Sequence, residues 1–405
     1  MAEHIVIDSR DAYREAVDRI VAGEGPVAVD AERASGFRYS QRAYLIQIFR
    51  RGAGTFLFDP PAVGRFDELH AEIANVEWVL HAASQDLACL REVGLDPSVI
   101  FDTELAARLL GLPRVGLGTV VEELLGIHLA KEHSAADWST RPLPQPWLTY
   151  AALDVELLVD LRDAMDALLV ENEKTEIARQ EFQAELDRET KPNRADPWRR
   201  LSGIHAIKGI RNLAVARELW NARDALARER DIAPGRLVPD ASLTAAARVM
   251  PATKRELGLL REFTGRASRT ELDRWWAAIE AGRATEELPV LRGNGDTLPP
   301  PRAWADRNPE ADIRFKLARA GVLELSEERK IPVENLLTPE TLRRIAWSPP
   351  AETGRDVIAT ALETAGARPW QIEATAQLIA DAFVEASQTP PEPPEADSSK
   401  ESNDS

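Results

Sequence analysis

The chain has 405 residues, of which 44% are hydrophobic and 29% charged, and its formal net charge is −17. This composition is typical of globular proteins, and the length predicts two or three domains. Cys89 is the only cysteine, which excludes an intramolecular disulfide and a thiolate metal cluster and favours a reducing cytoplasm. No apolar run reaches about 18 residues and no basic and apolar leader opens the sequence, so we expect neither a membrane span nor a signal peptide.

The first 170 residues or so alternate strand-like and helix-like segments. Apolar runs at 26–30, 43–49, 54–58 and 77–81 predict strands, and the second and third flank a short turn, as in a hairpin. Helices are expected at 66–73, 85–93, 103–111, 119–125 and 146–169, and a long one at about 164–189. The expected fold is a mixed sheet with flanking helices, which is an α/β arrangement.

The second half of the sequence predicts helices only. Residues 226–237 and 325–336 align without a gap at an offset of 99 residues, which indicates duplication of a small helical domain. The net charge weighs against a nucleic-acid partner, because phosphate contacts need a basic surface. However, residues 187–236 hold twelve Lys and Arg against seven Asp and Glu, so a local basic segment is present. An acidic interaction scaffold remains an alternative that explains the charge.

Acidic side chains stand out in three separate segments. Asp30 and Glu32 follow an apolar strand, where residues two apart point to the same side and can reach one metal ion. Asp86 follows the strand at 77–81. Tyr150 and Asp154 are four residues apart on a predicted helix and therefore share a face.

In this order the three segments resemble the DEDDy class of 3′→5′ exonucleases, and ribonuclease D in particular. The resemblance covers about residues 5–170. It is also carried by Phe101-Asp102-Thr103, by 106–111 with Gly118, and by Lys131, Asp137-Trp138-Ser139 and Arg141-Pro142-Leu143 ahead of the Tyr150 helix.

The resemblance implies a ribonuclease H-like fold and phosphodiester hydrolysis with two divalent metal ions, Mg²⁺ or Mn²⁺. It implies that Asp30, Glu32, Asp86 and Asp154 are metal ligands and that Tyr150 orients the attacking water. These five are the predicted catalytic residues.

Single residues also have structural interpretations. Asp86 alone suits a helix N-terminus, and Tyr150 alone suits a core position with a satisfied hydroxyl. Asp102 is expected to cap a helix, and His81 is expected to end a strand as a packed residue.

Two further sets are candidates for nucleic-acid binding. Phe37, Arg38 and Tyr39 follow the first acidic segment and either stack on terminal nucleotides or anchor their loop. Residues 191–286 resemble an HRDC domain, through Pro197-Trp198-Arg199-Arg200 and Leu219-Trp220 among others. In that domain Arg199, Arg200, Lys208 and Arg211 predict a strip that binds phosphates, with a solvated helix face as the alternative.

The sequence therefore predicts an exonuclease domain at 1–190, an HRDC domain at 191–286, a linker at 287–302, a second HRDC-like domain at 303–385 and a disordered acidic tail at 386–405. The predicted activity is that of a cytoplasmic 3′→5′ exoribonuclease that trims single-stranded 3′ ends of tRNA or other structured RNA precursors. A DNA exonuclease of the same class and a non-catalytic RNA-binding protein are the alternatives.

Overall fold

The computed structural model describes residues 4–129, 135–188, 196–291 and 298–389. Up to residue 188 the chain forms one six-stranded sheet with helices around it. The strands are β1 (Val6–Ile7), β2 (Glu24–Arg33), β3 (Ala43–Arg51), β4 (Gly54–Phe58), β5 (Trp78–Leu80) and β6 (Ile100–Asp102). The helices are α1 (Arg10–Val21), α2 (Pro60–Val63), α3 (Asp67–Ile73), α4 (Leu87–Glu92), α5 (Thr103–Leu110), α6 (Leu117–Leu125), α7 (Gln145–Glu156), α8 (Leu158–Glu171) and α9 (Thr175–Leu186).

The sheet is mixed, with the strand order β1-β4-β3-β2-β5-β6. β2, β3 and β4 pair antiparallel, and the predicted hairpin of β3 and β4 is confirmed. β5 pairs parallel with both β2 and β6, so β2 and β5 end at the same edge of the sheet. The predicted α/β fold class with flanking helices is confirmed.

Strand β2 is central because it carries small and branched apolar residues that can be covered on both faces. Val27, Ala28 and Val29 are all 0% exposed. Helix α7 crosses one face of the sheet over β2, β3 and β4. A cluster that includes Leu45, Leu57, Leu148, Ala151 and Ala152 holds this helix in place.

The predicted single helix at about 164–189 is wrong. Helix α8 ends at Glu171 and α9 begins at Thr175, because Glu173 adopts a left-handed backbone with φ of 56°. Tertiary contacts stabilise the break, since Lys174 Nζ donates to the carbonyls of Leu109 at 2.6 Å and Arg329 at 2.8 Å. The expected helix at 146–169 is also divided, between α7 and α8 at Leu157.

The remaining described residues are helical, as predicted. They form α10 (Ile210–Arg230), α11 (Pro234–Leu237), α12 (Asp240–Val249), α13 (Lys254–Leu259), α14 (Arg266–Thr270), α15 (Leu272–Ala284), α16 (Trp304–Arg307), α17 (Pro309–Arg329), α18 (Val333–Leu336), α19 (Pro339–Trp347), α20 (Arg355–Thr364) and α21 (Pro369–Gln388). α10 and α11 recur as α17 and α18 at an offset of 99 residues, and both long helices end in a left-handed residue, Asp231 or Lys330. This agreement supports the predicted duplication.

The two helical regions pack differently. Residues 198–279 enclose a core of their own around Trp198 and Trp275. In contrast, helices α16–α21 share one continuous core with the sheet region. Buried Glu181 of α9 accepts two hydrogen bonds from Arg368, at 2.6 and 2.7 Å, and one from Trp370 Nε1 at 2.7 Å.

Several predicted boundaries fall where the structure gives no description. The boundary at 190/191, part of the 287–302 linker and residues 390–405 of the predicted tail lie outside the described residues, whereas α21 extends to Gln388. Within the described ranges, no helix combines the length and apolar character that crossing a membrane requires.

Candidate active site

Three acidic side chains lie close together between strand β2 and helix α7. Asp30 and Glu32 lie two residues apart on β2 and therefore point to the same face. Asp154 lies on α7, which crosses that face. Ligand oxygens of Asp30, Glu32 and Asp154 all lie within 4.8 Å of one another. The structure thus brings together residues that are more than 120 positions apart in the sequence.

The fourth acid, Asp86, reaches the same place from the neighbouring strand. After β5 the chain turns through Ala82, whose φ of 63° is left-handed, and a short 3-10 turn that leads to Asp86. Asp102 holds this turn, since its carboxylate accepts hydrogen bonds from Ala82 N at 3.0 Å and Ala83 N at 2.8 Å. The same carboxylate caps α5, as predicted. Asp86 is 5% exposed and lies outside the tight cluster of the other three acids.

All four acids and Tyr150 line one cavity of about 610 Å³. One wall is acidic. The lining also includes Val115, Gly116, Leu117 and Gly118, before and at the start of α6. Arg33 brings a cation to the edge of the acids, with Nη2 4.0 Å from Asp86 Oδ1.

Burial, together with too few cations among the described residues to offset the negative charge, raises the pKa of each of the four acids. Burial and then the neighbouring acids raise the pKa of Glu32 to about 10. Burial, followed by the charge of Asp30, raises the pKa of Asp154 to about 8 and that of Asp86 well above its usual value. Burial also raises the pKa of Asp30, although Arg33 opposes the shift. Divalent cations would relieve this repulsion by neutralising the carboxylates.

Tyr150 lies one helical turn before Asp154, and a hydrogen bond joins the two side chains. Burial, followed by the charge of Asp154, raises the pKa of the Tyr150 phenol. The phenol therefore keeps its proton at neutral pH. A protonated hydroxyl in this position can donate or accept a hydrogen bond in the cavity, but it does not act as a base.

The donor set fits divalent metal ions. Carboxylate oxygens are the ligands that Mg²⁺ and Mn²⁺ prefer, and three of them are already gathered within 4.8 Å. The sequence prediction of an oxygen-ligand site is supported by this arrangement.

Comparisons with known proteins agree with this geometry. Residues 5–169 match the family described as 3'-5' exonuclease, 212–279 match the HRDC domain, and 297–383 match the 3' to 5' exonuclease C-terminal domain. Ribonuclease D of Nitrobacter hamburgensis is 30% identical over 287 residues, which cover 68% of this chain and 70% of that protein. The chain belongs to the ribonuclease D family. The predicted family and enzyme class, a 3′→5′ exoribonuclease, are thereby confirmed.

Solved structures extend the likeness over nearly the whole chain. A protein from Bifidobacterium adolescentis has 36% sequence identity and a TM-score of 0.85, and the match covers 95% of this chain and 99% of that one. Escherichia coli RNase D, described as an exoribonuclease involved in structured RNA processing, has 25% identity and a TM-score of 0.68, with 96% and 99% covered. The ribonuclease D arrangement therefore includes both helical regions.

The three candidate nucleic-acid-binding residues that follow the first acidic segment, Phe37, Arg38 and Tyr39, contact other parts of the protein. Arg236 stacks on one of them, Phe37, with its guanidinium carbon 3.9 Å from the ring centroid. The Tyr39 hydroxyl donates to Asp224 at 3.0 Å, and Arg38 Nε donates to Ser139 Oγ at 2.8 Å. These contacts favour the interpretation that the loop anchors the HRDC region to the sheet region.

Of the four residues of the predicted basic strip, two make contacts within the HRDC region and two are exposed. Arg199 stacks on Trp198 and donates to the Val290 carbonyl at 2.9 Å. Arg211 Nη1 donates to the Thr285 carbonyl at 2.5 Å. Arg200 and Lys208, in contrast, are exposed. The first two arginines hold the fold of the HRDC region together, and the last two are available to a phosphate.

Arg33 and the segment 115–117 of the cavity were not singled out in the sequence, whereas His81 was expected to end a strand as a packed residue. Arg33 follows Glu32 at a register irregularity between β2 and β3, where a strand usually twists and redirects its side chains. His81 and the 115–118 segment also line the cavity. The alternation of a regular strand could not predict that the Arg33 side chain lines the cavity. Of the 115–118 segment, only Gly118 was part of the family resemblance.

Proposed function

We propose that Asp30, Glu32, Asp86 and Asp154 hold two divalent metal ions, Mg²⁺ or Mn²⁺, and that the site removes nucleotides one at a time from the 3′ end of RNA. The observation that carries the proposal is the meeting of three carboxylates within 4.8 Å in a cavity that the fourth also lines. The ions would activate a water molecule and stabilise the leaving oxygen.

The protein's own groups have separate tasks in this proposal. Tyr150 is held by Asp154 and keeps its proton, so it orients the attacking water by hydrogen bonding. Arg33 neutralises a phosphate at the edge of the acids. Val115 and Leu117 provide an apolar surface against which a sugar or base can pack.

We further propose that the substrates are the single-stranded 3′ ends of structured RNA precursors, with tRNA precursors among them, in the cytoplasm. The support is family membership and the likeness to a structured-RNA exoribonuclease. Exposed Arg200 and Lys208 would contact phosphates farther along the RNA without reading its sequence.

The test is a timed digestion of a 5′-labelled RNA and its DNA equivalent with Mg²⁺, with Mn²⁺ and with EDTA. We expect stepwise shortening of the RNA from its 3′ end that requires metal. Asp154→Asn should abolish the shortening, whereas Asp11→Asn, at a side chain 95% exposed on α1, should not. No shortening with either metal would contradict the proposal, and faster shortening of DNA would contradict the RNA substrate.

The substrate proposal has its own experiment. A tRNA precursor with a short 3′ extension is digested beside an unstructured RNA of the same length. Trimming that stops near the folded tRNA body would support a role in processing. Degradation through the body would contradict it.

A further inference from the structure

His81 occupies the cavity but has no task in the function proposed above. It directly follows β5, and its side chain lines the cavity together with the four acids. Among the described residues, its ring has one hydrogen-bond contact, of 2.9 Å between Nδ1 and Thr103 Oγ1. The chemistry of the other nitrogen, Nε2, therefore decides what His81 offers to a substrate.

The hydrogen bonds of Thr103 assign the tautomer of His81. A threonine hydroxyl has one hydrogen, and donating it to the Leu80 carbonyl at 3.1 Å leaves the oxygen as an acceptor for His81. In that arrangement Thr103 Oγ1 accepts from His81, and the ring proton lies on Nδ1. In a neutral imidazole with its proton on Nδ1, Nε2 is an unprotonated acceptor.

The imidazole ring is uncharged near pH 7. Burial lowers the pKa of His81 to about 4, and the nearby carboxylate of Glu104 opposes this shift only in part. His81 therefore does not bind phosphate as a cation. It presents a hydrogen-bond acceptor to the cavity, and an acceptor can only recognise a group that carries a hydrogen.

RNA offers few such groups close to the scissile bond. Phosphate and ring oxygens carry no hydrogen, and the donors on the bases differ from one nucleotide to the next. The ribose 2′-hydroxyl is present on every nucleotide of RNA and on none of DNA. An acceptor that meets each successive 3′ end thus has two constant partners, this hydroxyl and the terminal 3′-hydroxyl, and only the 2′-hydroxyl distinguishes RNA from DNA.

We propose that Nε2 of His81 accepts a hydrogen bond from the 2′-hydroxyl of one of the two nucleotides that flank the scissile phosphate, and that this contact makes the site prefer RNA to DNA. The inference rests on the proposed function, because the acids must hold the scissile phosphate in this cavity. His81 is then a specificity-determining residue that touches the substrate.

Two substitutions separate the two nitrogens of the ring. In His81→Asn the short amide can replace Nδ1 at Thr103 but leaves no acceptor at the position of Nε2. In His81→Gln the longer amide places an oxygen near the position of Nε2. The first variant should lose the contact to the 2′-hydroxyl and the second should retain part of it. Thermal unfolding of each variant checks that the fold is intact.

The substrates are a 5′-labelled RNA oligonucleotide and two copies with a single 2′-deoxynucleotide, at the last or the next-to-last position. We expect the unmodified enzyme to cleave the all-ribose RNA about tenfold faster, in kcat/KM, than one of the deoxy copies. His81→Asn should reduce this ratio to less than about twofold, and His81→Gln should keep an intermediate ratio. His128→Asn, at a side chain 78% exposed on the surface, should leave the ratio unchanged.

The outcomes distinguish this inference from the function on which it rests. If the unmodified protein does not shorten the all-ribose RNA, the proposed function fails. If it shortens that RNA but His81→Asn keeps the unmodified ratio, or slows all three substrates equally, only the role of His81 is overturned. Equal cleavage of all three substrates by the unmodified enzyme would overturn it too.

Discussion

Replacing Asp102 should disturb the active site without removing any group that contacts a metal ion. Asp102 is 4% exposed, and its carboxylate accepts hydrogen bonds from four backbone N–H groups. Two belong to the turn before Asp86, from Ala82 at 3.0 Å and Ala83 at 2.8 Å. Two belong to the first turn of α5, from Glu104 at 2.9 Å and Leu105 at 3.1 Å.

The cost of Asp102→Ala follows from these four bonds. Losing the helix cap costs about 1 kcal/mol. Each of the two buried N–H groups of the turn that loses its acceptor costs about 1–3 kcal/mol. The expected loss in the free energy of unfolding is therefore about 3–7 kcal/mol, reduced if water enters. Asp102→Asn keeps one acceptor oxygen and should cost about 1–2 kcal/mol.

Urea unfolding followed by circular dichroism measures both losses, and kcat of RNA shortening measures the effect on the site. We expect kcat to fall in Asp102→Asn even where the protein is fully folded, because the turn that carries Asp86 is displaced. Ser9→Ala, which removes a surface cap of α1, is the control and should change stability by less than about 1 kcal/mol without changing kcat. A loss below about 1 kcal/mol for Asp102→Ala would refute the reasoning.

Three other predictions test the site and its surroundings. In EDTA the free energy of unfolding should fall as the pH rises from about 5 to 8, since Asp154, with its pKa raised to about 8, keeps a proton in the folded chain that the unfolded carboxyl, near 3.9, has lost. Asp154 and Glu32, whose pKa is raised to about 10, should each contribute about 1.4 kcal/mol per pH unit to this slope between about pH 6.5 and 7.5, and the slope should flatten when Mg²⁺ or Mn²⁺ is added in urea titrations. A stability that rises with pH over this interval in EDTA would be contrary to the shifts. The double variant Arg200→Gln and Lys208→Gln should bind RNA more weakly in filter-binding assays, and its binding should depend less on salt, whereas Arg14→Gln on α1 should change neither. Equal effects of the two changes would contradict a phosphate-binding role of Arg200 and Lys208. Glu181→Ala should lower the free energy of unfolding by about 2 kcal/mol, because it leaves the buried Trp370 indole N–H and the half-buried Arg368 guanidinium without their acceptor. A neutral result in urea titrations would show that α9 does not depend on this contact.

The elements of the site could be predicted from local patterns. The apolar run before Asp30 made β2 a buried strand, and two-residue spacing placed Glu32 on the same face. Four-residue spacing placed Tyr150 and Asp154 together on α7. These patterns repeat over short distances, and the backbone geometry of a strand or helix fixes them whatever surrounds the element.

The partners of the remaining side chains depended on residues far away in the sequence. Tyr39 pairs with Asp224, which is 185 positions later, so stacking on RNA and anchoring of the loop could not be separated beforehand. The end of α8 was missed for the same reason, because Lys174 secures it through the carbonyl of Arg329.

The sequence by itself determined the fold class, the family and the set of acids, because each is encoded in short-range periodicity and in the order of motifs. Only the tertiary structure decided which arginines hold the HRDC region together, where α8 ends, and that His81 faces the cavity. Those features depend on hydrogen bonds and packing between separate elements, whose free energy is gained only after the chain has brought the elements together.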